Sequence, residues 1–364
     1  MKKSSLLLVA SLLAVVAACA QTRTFVWQGS QRQFLMYEPV QRTGAVPVMY
    51  FLHGLGDNIT RCEAEMGFAE LADAYGWVIL VPQALSVQNT TMWNVGFGGT
   101  ADDAGFLLAL LDSLQDAGRV NPDSVFFTGF SLGGFMTHKM AIEHGDRITA
   151  CAPVSGLITF ALADEVPVAP VRMMHIHGTA DDVVGWNGGS AYFGSIGISV
   201  DSLVRYWTEW NGCTSDADID SLPNRVGDGL RFVRHSYGGG EADFRLIEVI
   251  GGSHNWYTDS TIHDIDYFDV IHRFFLGDGS TLGLSWPDGG EADALRVWPN
   301  PASRQVHVLA RQADTVTLAD LRGVGLMRSA VSDSVATFDV CALPAGTYLL
   351  SDNCGATQRL VVAR

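Results

Sequence analysis

The chain has 364 residues, of which 48% are hydrophobic and 17% charged, and 39 acidic against 23 basic side chains give a net charge of −16. This composition is typical of a globular protein and excludes a disordered one. The acidic excess disfavours binding to nucleic acid or to an anionic membrane surface, so we expect neither as a partner.

Residues 1–20 have the pattern of an export signal that is removed on maturation. Lys2 and Lys3 precede an apolar run over 6–16, and small residues at 18–20 suggest a cleavage site. Cys19 lies in a box that also resembles a lipoprotein processing site, so lipidation is the alternative. No later apolar run is long enough for a membrane helix, and we expect no transmembrane segment.

Residues 21–276 alternate apolar strand-like runs with helical ones, which predicts an α/β fold with a mostly parallel sheet and helices on both faces. The run V-P-V-M-Y-F-L over 46–52 is typical of a strand buried on both faces. The other predicted strands are 23–27, 34–39, 77–81, 124–128, 148–154, 172–176 and 246–250. The predicted helices are 63–75, 103–114 and one that begins near Leu132.

The composition changes after residue 276. Residues 277–293 are rich in Gly, Ser, Asp and Pro and predict a linker. Residues 294–364 show short alternating segments without a helical period, which predicts a small all-β, sandwich-like domain. Its predicted strands are 296–298, 305–309, 315–318, 336–340, 347–350 and 359–362.

The segment G-F-S-L-G over 129–133 lies between a predicted strand and a predicted helix. In that context small residues allow a sharp turn that lifts the serine hydroxyl above the sheet edge. We therefore predict that Ser131 is a nucleophile. A phosphate-binding loop is the weaker alternative for the other glycine-rich segment, 53–57, because no G-K-S/T follows it.

A serine nucleophile needs a general base and a carboxylate that orients it, and both follow later in the chain in this architecture. Asp181 follows the strand 172–176, and His254 lies in the glycine-rich turn after 246–250. We predict these as acid and base, with Asp182 as the alternative acid. His138 and His144 have the spacing of helix-surface residues.

Two backbone amides are predicted to stabilise the oxyanion of an acyl-transfer reaction, those of Leu132 and of Leu55 in the loop after the strand 46–52. His175 and His177 share a strand face, which raises the alternative of a metal site. No further histidine cluster is evident, and we expect no metal and no cofactor.

The motifs H-G-L-G-D from 53, W-N at 93–94, D-D-A-G-F at 102–106, G-F-S-L-G-G, H-G-T-A-D and G-G-S-H-N-W together resemble the secreted polyhydroxybutyrate depolymerase-like esterases. That group includes the feruloyl and acetylxylan esterases of carbohydrate esterase family 1. The resemblance covers about 24–275 and implies an α/β-hydrolase fold and a serine esterase. The chain departs from the group in V-G-W at 184–186 and in S-H-N-W-Y at 253–257, which leaves the substrate open.

Trp93, Trp186 and Trp256 lie in or beside the predicted catalytic loops. They either form a platform for an aromatic acyl group or a sugar ring, or they pack the loops.

The tail resembles the C-terminal sorting domain of type IX secretion, through V-W-P-N-P-A at 297–302 and L-P-A-G-T-Y-L-L at 343–350. The resemblance implies passage across an outer membrane by secretion machinery, and hence a secreted or cell-surface protein. A small accessory or carbohydrate-binding module is the alternative.

Five cysteines remain after the predicted signal. Cys341 and Cys354 flank an apparent hairpin and are the best candidates for a disulfide, whereas the pairing of Cys62, Cys151 and Cys213 stays open.

The prediction as a whole is a secreted serine esterase that acts through an acyl-enzyme. Its substrate would be either a feruloyl or acetyl ester of a plant polysaccharide or a polyhydroxyalkanoate-type ester. The sequence leaves open whether that ester is small or polymeric. The alternatives are a serine peptidase of the same fold, which usually needs an additional substrate-gating domain, and a catalytically silent surface-binding protein.

Overall fold

The structure is a computed structural model that describes residues 22–40, 42–97, 99–190, 194–214, 216–277, 295–298, 302, 304–310, 313–320, 324–332, 335–353 and 357–362. Its contacts divide the chain into two compact units, Met1–Gly279 and Ser280–Arg364. The predicted signal and nearly all of the predicted linker lie outside the described residues. Within the described ranges, no helix has both the length and the apolar character that a membrane crossing requires.

Strands and helices alternate through the first unit. The strands are β1 (Arg23–Trp27), β2 (Ser30–Tyr37), β3 (Val46–Leu52), β4 (Val78–Pro82), β5 (Ser86–Val87), β6 (Thr90–Thr91), β7 (Val120–Phe130), β8 (Ala150–Val154), β9 (Arg172–Gly178), β10 (Gly189–Ser190), β11 (Gly194–Ser195), β12 (Asp218–Ser221), β13 (Arg231–Tyr237) and β14 (Phe244–Ile250). The helices are α1 (Ile59–Met66), α2 (Phe68–Tyr75), α3 (Asp103–Asp116), α4 (Leu132–His144), α5 (Val200–Trp210), α6 (Ser260–His263) and α7 (Tyr267–Phe275).

One ten-stranded sheet has the order β1-β2-β4-β3-β7-β8-β9-β14-β13-β12. The central strands from β4 to β14 are parallel, and antiparallel pairs extend both edges. This confirms the predicted α/β-hydrolase architecture. Since the carboxyl ends of parallel strands meet at one sheet edge, the loops after β3, β7, β9 and β14 are neighbours.

The central strand β3 explains why helices cover both faces of the sheet. Tyr50 stacks on Phe127 at 4.4 Å between ring centroids and donates its hydroxyl to the carbonyl of Leu107 on α3. The next residue, Phe51, points the other way and contacts Phe68 on α2 and Phe268 on α7. A strand covered on both faces needs apolar side chains at successive positions, hence its continuous apolar run.

The structure corrects several predicted elements. The predicted helix 63–75 is two helices, α1 and α2, because Gly67 between them takes the left-handed conformation with φ 62°. The helix α5 and the strands β12 and β13 were not predicted.

The second unit is all-β, as predicted. Its strands are β15 (Arg296–Trp298), β16 (Gln305–Leu309), β17 (Thr315–Ala319), β18 (Gly325–Ala330), β19 (Val335–Asp339), β20 (Gly346–Asp352) and β21 (Thr357–Val362). They form two sheets, β15-β16-β19 and β18-β17-β20-β21. Alternate residues such as Val306, Val308, Phe338 and Leu350 form a shared apolar core.

Candidate active site

Ser131 lies in the sharp turn between β7 and α4, with φ 56° and ψ −122°, a conformation that L-residues seldom adopt. Backbone hydrogen bonds hold it there: the Ser131 N–H donates to the Val154 carbonyl at 2.9 Å, and its own carbonyl accepts from the Phe135 N–H at 3.1 Å. A β-carbon at Gly133 would clash with the Leu52 carbonyl, so only glycine fits where α4 passes β3.

The acid and base come from the ends of two neighbouring strands. Asp181 follows β9 and His254 follows β14, and Asp181 Oδ2 lies 2.7 Å from His254 Nδ1. Since a carboxylate oxygen accepts, His254 Nδ1 carries the proton and Nε2 is free to act as a base. Asp182, the alternative acid, is exposed to solvent instead.

The loop after β9 holds Asp181 in its charged form. The other carboxylate oxygen, Oδ1, accepts from the N–H groups of Val183 at 3.0 Å and Val184 at 2.7 Å. Burial alone raises the pKa of this carboxyl, but the hydrogen bonds from His254 and Val184 outweigh it, so the pKa of Asp181 lies below its usual value. Asp181 is therefore an anion at neutral pH and stabilises a positive charge on His254.

Hydrogen bonds join the loop after β9, which we call the acid loop, to the loop after β14, the base loop. The Ala180 N–H donates to the Gly252 carbonyl at 2.9 Å, and the Gly251 N–H donates to Thr179 Oγ1 at 2.9 Å. These bonds hold the two loops together and so support the short distance between acid and base.

The loop after β3 passes directly beside Ser131. A β-carbon placed on Gly54 would lie 3.9 Å from Ser131 Oγ. The next residue, Leu55, and Leu132 line the same cavity as Ser131 and His254. Among the described residues, the amide N–H of neither leucine has a hydrogen-bond acceptor. The prediction that these two amides bind an oxyanion therefore stays a prediction, and neither amide is engaged elsewhere among the described residues.

The ring of His53, whose role the sequence does not predict, holds this loop. Its Nε2 accepts from the Ala84 N–H at 3.1 Å, so the proton is on Nδ1, which donates to the Gly54 carbonyl at 2.8 Å. That carbonyl and the Leu55 N–H belong to one planar trans peptide, so the N–H points away from the His53 ring.

A cavity of about 440 Å³ opens over Ser131 and His254. Its walls are mostly apolar, with Asp57 and Arg61 on one side. Phe130 packs on the His254 ring at 4.7 Å between centroids. The other apolar side chains of the lining are Leu55, Met92, Phe97, Leu132, Phe135, Val183, Val184 and Ile196.

The three predicted tryptophans do not line this cavity. Trp93 is fully buried and donates to the His53 carbonyl at 2.9 Å, and Trp256 is buried against Phe51 and Phe268. As substrate contacts these two predictions are wrong, because both side chains pack the loops. Trp186 is half-buried and donates to Asp201 at 3.1 Å.

The predicted surface position of His138 is also wrong. It is fully buried and accepts from Trp207 Nε1 at 3.2 Å. His175 and His177 are buried as well, and the described residues contain no group of three or more His, Cys, Asp or Glu side chains that could hold a metal ion.

Cys62 and Cys151 are buried thiols and Cys213 is half-buried, none of them in a disulfide. Cys354 lies outside the described residues, so its pairing with Cys341 stays a prediction.

Two family models match the chain. Residues 28–163 match the family described as "Putative esterase", and residues 296–363 match the secretion system C-terminal sorting domain. The first match contains Ser131 and the Gly54 loop and ends before Asp181.

Curated relatives and a solved structure are similar to the first unit. A bifunctional acetylxylan esterase/xylanase of Neocallimastix patriciarum is 26% identical over 199 residues, 54% of this chain and 27% of that protein. Feruloyl esterase B of Piromyces equi is 25% identical over 237 residues, 61% of this chain and 42% of that protein. The chain thus spans less than half the length of either relative.

The solved structure is the acetyl xylan esterase from Aspergillus awamori, with a TM-score of 0.51 and 14% identity over 65% of this chain and 94% of that one. The chain therefore contains an esterase-family domain related to feruloyl and acetylxylan esterases, followed by a type IX C-terminal sorting domain.

Proposed function

We propose that the first unit is a carboxylic-ester hydrolase with Ser131 as nucleophile, His254 as general base and Asp181 as the acid that orients it. The observation that carries this proposal is the 2.7 Å contact between Asp181 and His254, together with a cavity that both His254 and the strained Ser131 line. The esterase-family match over 28–163 supports the same chemistry.

In the first half-reaction, His254 Nε2 takes the proton of the Ser131 hydroxyl while Oγ forms a bond to the ester carbonyl carbon. The carbonyl oxygen becomes an oxyanion, which the Leu132 and Leu55 amides stabilise, and the N-terminus of α4 adds the positive end of its dipole. His254 then returns the proton to the leaving alcohol as the carbon–oxygen bond breaks.

The second half-reaction releases the acid. His254 removes a proton from water, the hydroxide attacks the acyl-enzyme carbonyl, and the tetrahedral intermediate collapses to free acid with the proton back on Ser131. The Asp181 carboxylate stabilises the imidazolium in both halves.

The proposed substrates are feruloyl or acetyl esters of plant polysaccharides, or polyhydroxyalkanoate-type esters, small or polymeric. The support is the similarity to an acetylxylan esterase, a feruloyl esterase and a poly(3-hydroxyalkanoate) depolymerase. An apolar cavity of about 440 Å³ with three phenylalanines favours a bulky or aromatic acyl group over acetate.

We propose that the protein is exported and reaches the medium or the cell surface. The support is the sorting-domain match over 296–363 and the signal-like residues 1–20. The secretion machinery would then be its partner.

An ester panel tests the proposed activity: acetylated xylan, feruloylated arabinoxylan and a short-chain polyhydroxyalkanoate, each with wild type and Ser131→Ala. We expect hydrolysis of at least one ester that disappears in the variant. Failure to hydrolyse any ester, including p-nitrophenyl acetate, would support a silent binding protein, and cleavage of peptides alone would support a peptidase.

A further inference from the structure

Two histidines beneath the acid loop have no part in the mechanism above. His175 and His177 lie two residues apart on β9, and both side chains are completely buried. Burial lowers the pKa of both rings, so each is neutral at physiological pH. A neutral histidine has one donor and one acceptor nitrogen, and the partners of its ring decide which is which.

The contacts fix the proton on each ring. His177 Nε2 lies 2.7 Å from the Val184 carbonyl oxygen, which can only accept, so Nε2 carries the proton. Its Nδ1 is then an acceptor and lies 3.2 Å from His175 Nε2, which must donate. Both rings are therefore Nε2–H tautomers. The His177 ring can donate to Val184 and accept from His175 only in this tautomer, so the two bonds support each other.

The Val184 carbonyl belongs to the loop that holds the catalytic acid. From the other side of that loop, the N–H groups of Val183 and Val184 donate to Asp181 Oδ1. His177 Nε2 is 3.8 Å from Asp181 Oδ2, too far for a hydrogen bond, so Oδ2 remains available to His254. His177 thus anchors the loop without competing for the carboxylate.

We propose that His177, kept in its tautomer by His175, is the positioning residue that holds Asp181 in line with His254. This inference rests on the esterase function proposed above. Without the His177 donor the buried Val184 carbonyl has no partner at that position, and the loop relaxes to find one. Displacement of the acid by about 1 Å is enough to cost about a hundredfold in rate.

Paired substitutions test the role of His177. His177→Leu removes the donor, and we expect kcat for p-nitrophenyl acetate to fall about tenfold to a hundredfold with KM within about twofold. His177→Gln places an amide N–H near the position of Nε2, and we expect it to restore most of kcat. Equal loss in both variants, or wild-type kcat in His177→Leu, would overturn the proposal.

His175 offers an independent pair if His177→Leu does not fold. His175→Leu leaves the His177 ring in place but frees its tautomer, so we expect a smaller fall in kcat than for His177→Leu, and recovery in His175→Gln. The matched control is His235→Leu. The His235 ring lies on β13 and bonds to Glu248 at 2.9 Å, not to the acid loop. This control should lower thermal stability and leave kcat unchanged.

Nitrogen-15 NMR of the histidine rings supplies a readout that needs no activity. In wild type and in Ser131→Ala we expect the nitrogen-15 chemical shifts of His175 and His177 to be those of the Nε2–H tautomer. An Nδ1–H tautomer of His177 would contradict the proposal. If Ser131→Ala keeps full esterase activity, the proposed function fails while the tautomers are still measured. If Ser131→Ala is inactive and His177→Leu is fully active, the positioning role alone fails.

Discussion

The nucleophile side and the acid–base side of the candidate active site are held in different ways. Backbone geometry positions Ser131, through a strained turn, two main-chain hydrogen bonds and a glycine that no other residue can replace. The other half depends on side-chain hydrogen bonds: His254 bonds to Asp181, and the buried His177 bonds to the Val184 carbonyl of the acid loop. A backbone turn of this kind needs particular residues at fixed spacing, so it can be recognised as a motif in the sequence. A side-chain network has no such fixed spacing and gives no motif.

The largest expected effect comes from removing the nucleophile, which leaves the backbone of the turn intact. Ser131→Ala should lower kcat by about a million-fold and leave only the residual rate that the oxyanion donors and substrate binding supply. Thermal stability should stay the same or rise, because the hydrogen bonds that hold the turn are made by the backbone and alanine keeps them. Stopped-assay kinetics with p-nitrophenyl acetate and a melting curve measure both, and residual activity within tenfold of wild type would exclude Ser131 as nucleophile.

Replacing the acid tests the side-chain half. Asp181→Asn removes the charge that stabilises the imidazolium and disturbs the tautomer of His254, so we expect kcat to fall by about ten-thousand-fold. The neighbour provides the control: Asp182→Asn alters an exposed carboxylate and should leave kcat within about twofold of wild type. The reverse order of effects would make Asp182 the acid.

Substitution of Leu55 tests the backbone half away from the nucleophile. Leu55→Pro deletes the amide proton proposed for the oxyanion, and we expect a fall in kcat of about a hundredfold to a thousandfold. Leu55→Ala keeps the amide and trims a half-exposed side chain, so it should stay near wild type. Equal activities of the two variants would move the oxyanion donor to another residue.

The smallest expected effect concerns α7, which supports the base loop through the contact of Phe268 with Trp256 at 4.9 Å. Burial raises the pKa of its capping residue Asp266 to about 7, and it outweighs the hydrogen bonds from the Asp269 and Phe268 N–H groups, which lower it. The folded state therefore binds more protons than the unfolded chain between about pH 4 and 7, and this group lowers the free energy of unfolding as pH rises through that window.

Asp266→Asn keeps a capping side chain and removes that titration. We expect its melting temperature, relative to wild type, to rise by a few degrees between pH 4 and pH 8. Asp116→Asn, at an exposed position of α3, should show no such trend across the same range. If the melting-temperature difference between Asp266→Asn and wild type stays constant across this pH range, the Asp266 carboxyl titrates in the folded protein as it does in the unfolded chain.

Much of the fold could be predicted because buried strands need apolar runs. The bounds predicted for β3 agree with the structure, and the turn at Ser131 lies where the small residues suggest it. Two of the strands that the sequence does not predict lie at sheet edges: β12 is exposed along its length with the sequence D-I-D-S, and β18 is largely exposed at the edge of its sheet. A strand with solvent on one side or both does not need the apolar pattern that prediction relies on.

The candidate site was predictable where chain order and turns carry the chemistry. Ser131, Asp181 and His254 each follow the end of a predicted strand, and parallel strands bring those ends together. The roles of His53, His138 and His177 could not be predicted, since each depends on a partner 31 to 69 residues away or on a carbonyl at the far side of a loop. Likewise, the sequence shows that Trp93 and Trp256 lie in the loops and does not show which way they face.

The most direct test of the central claim is covalent labelling with a serine-directed fluorophosphonate, mapped by mass spectrometry. The account predicts one adduct on Ser131 that forms rapidly in wild type, slowly in His254→Ala, and not at all in Ser131→Ala. An adduct on another serine, or equal labelling rates in wild type and His254→Ala, would contradict it.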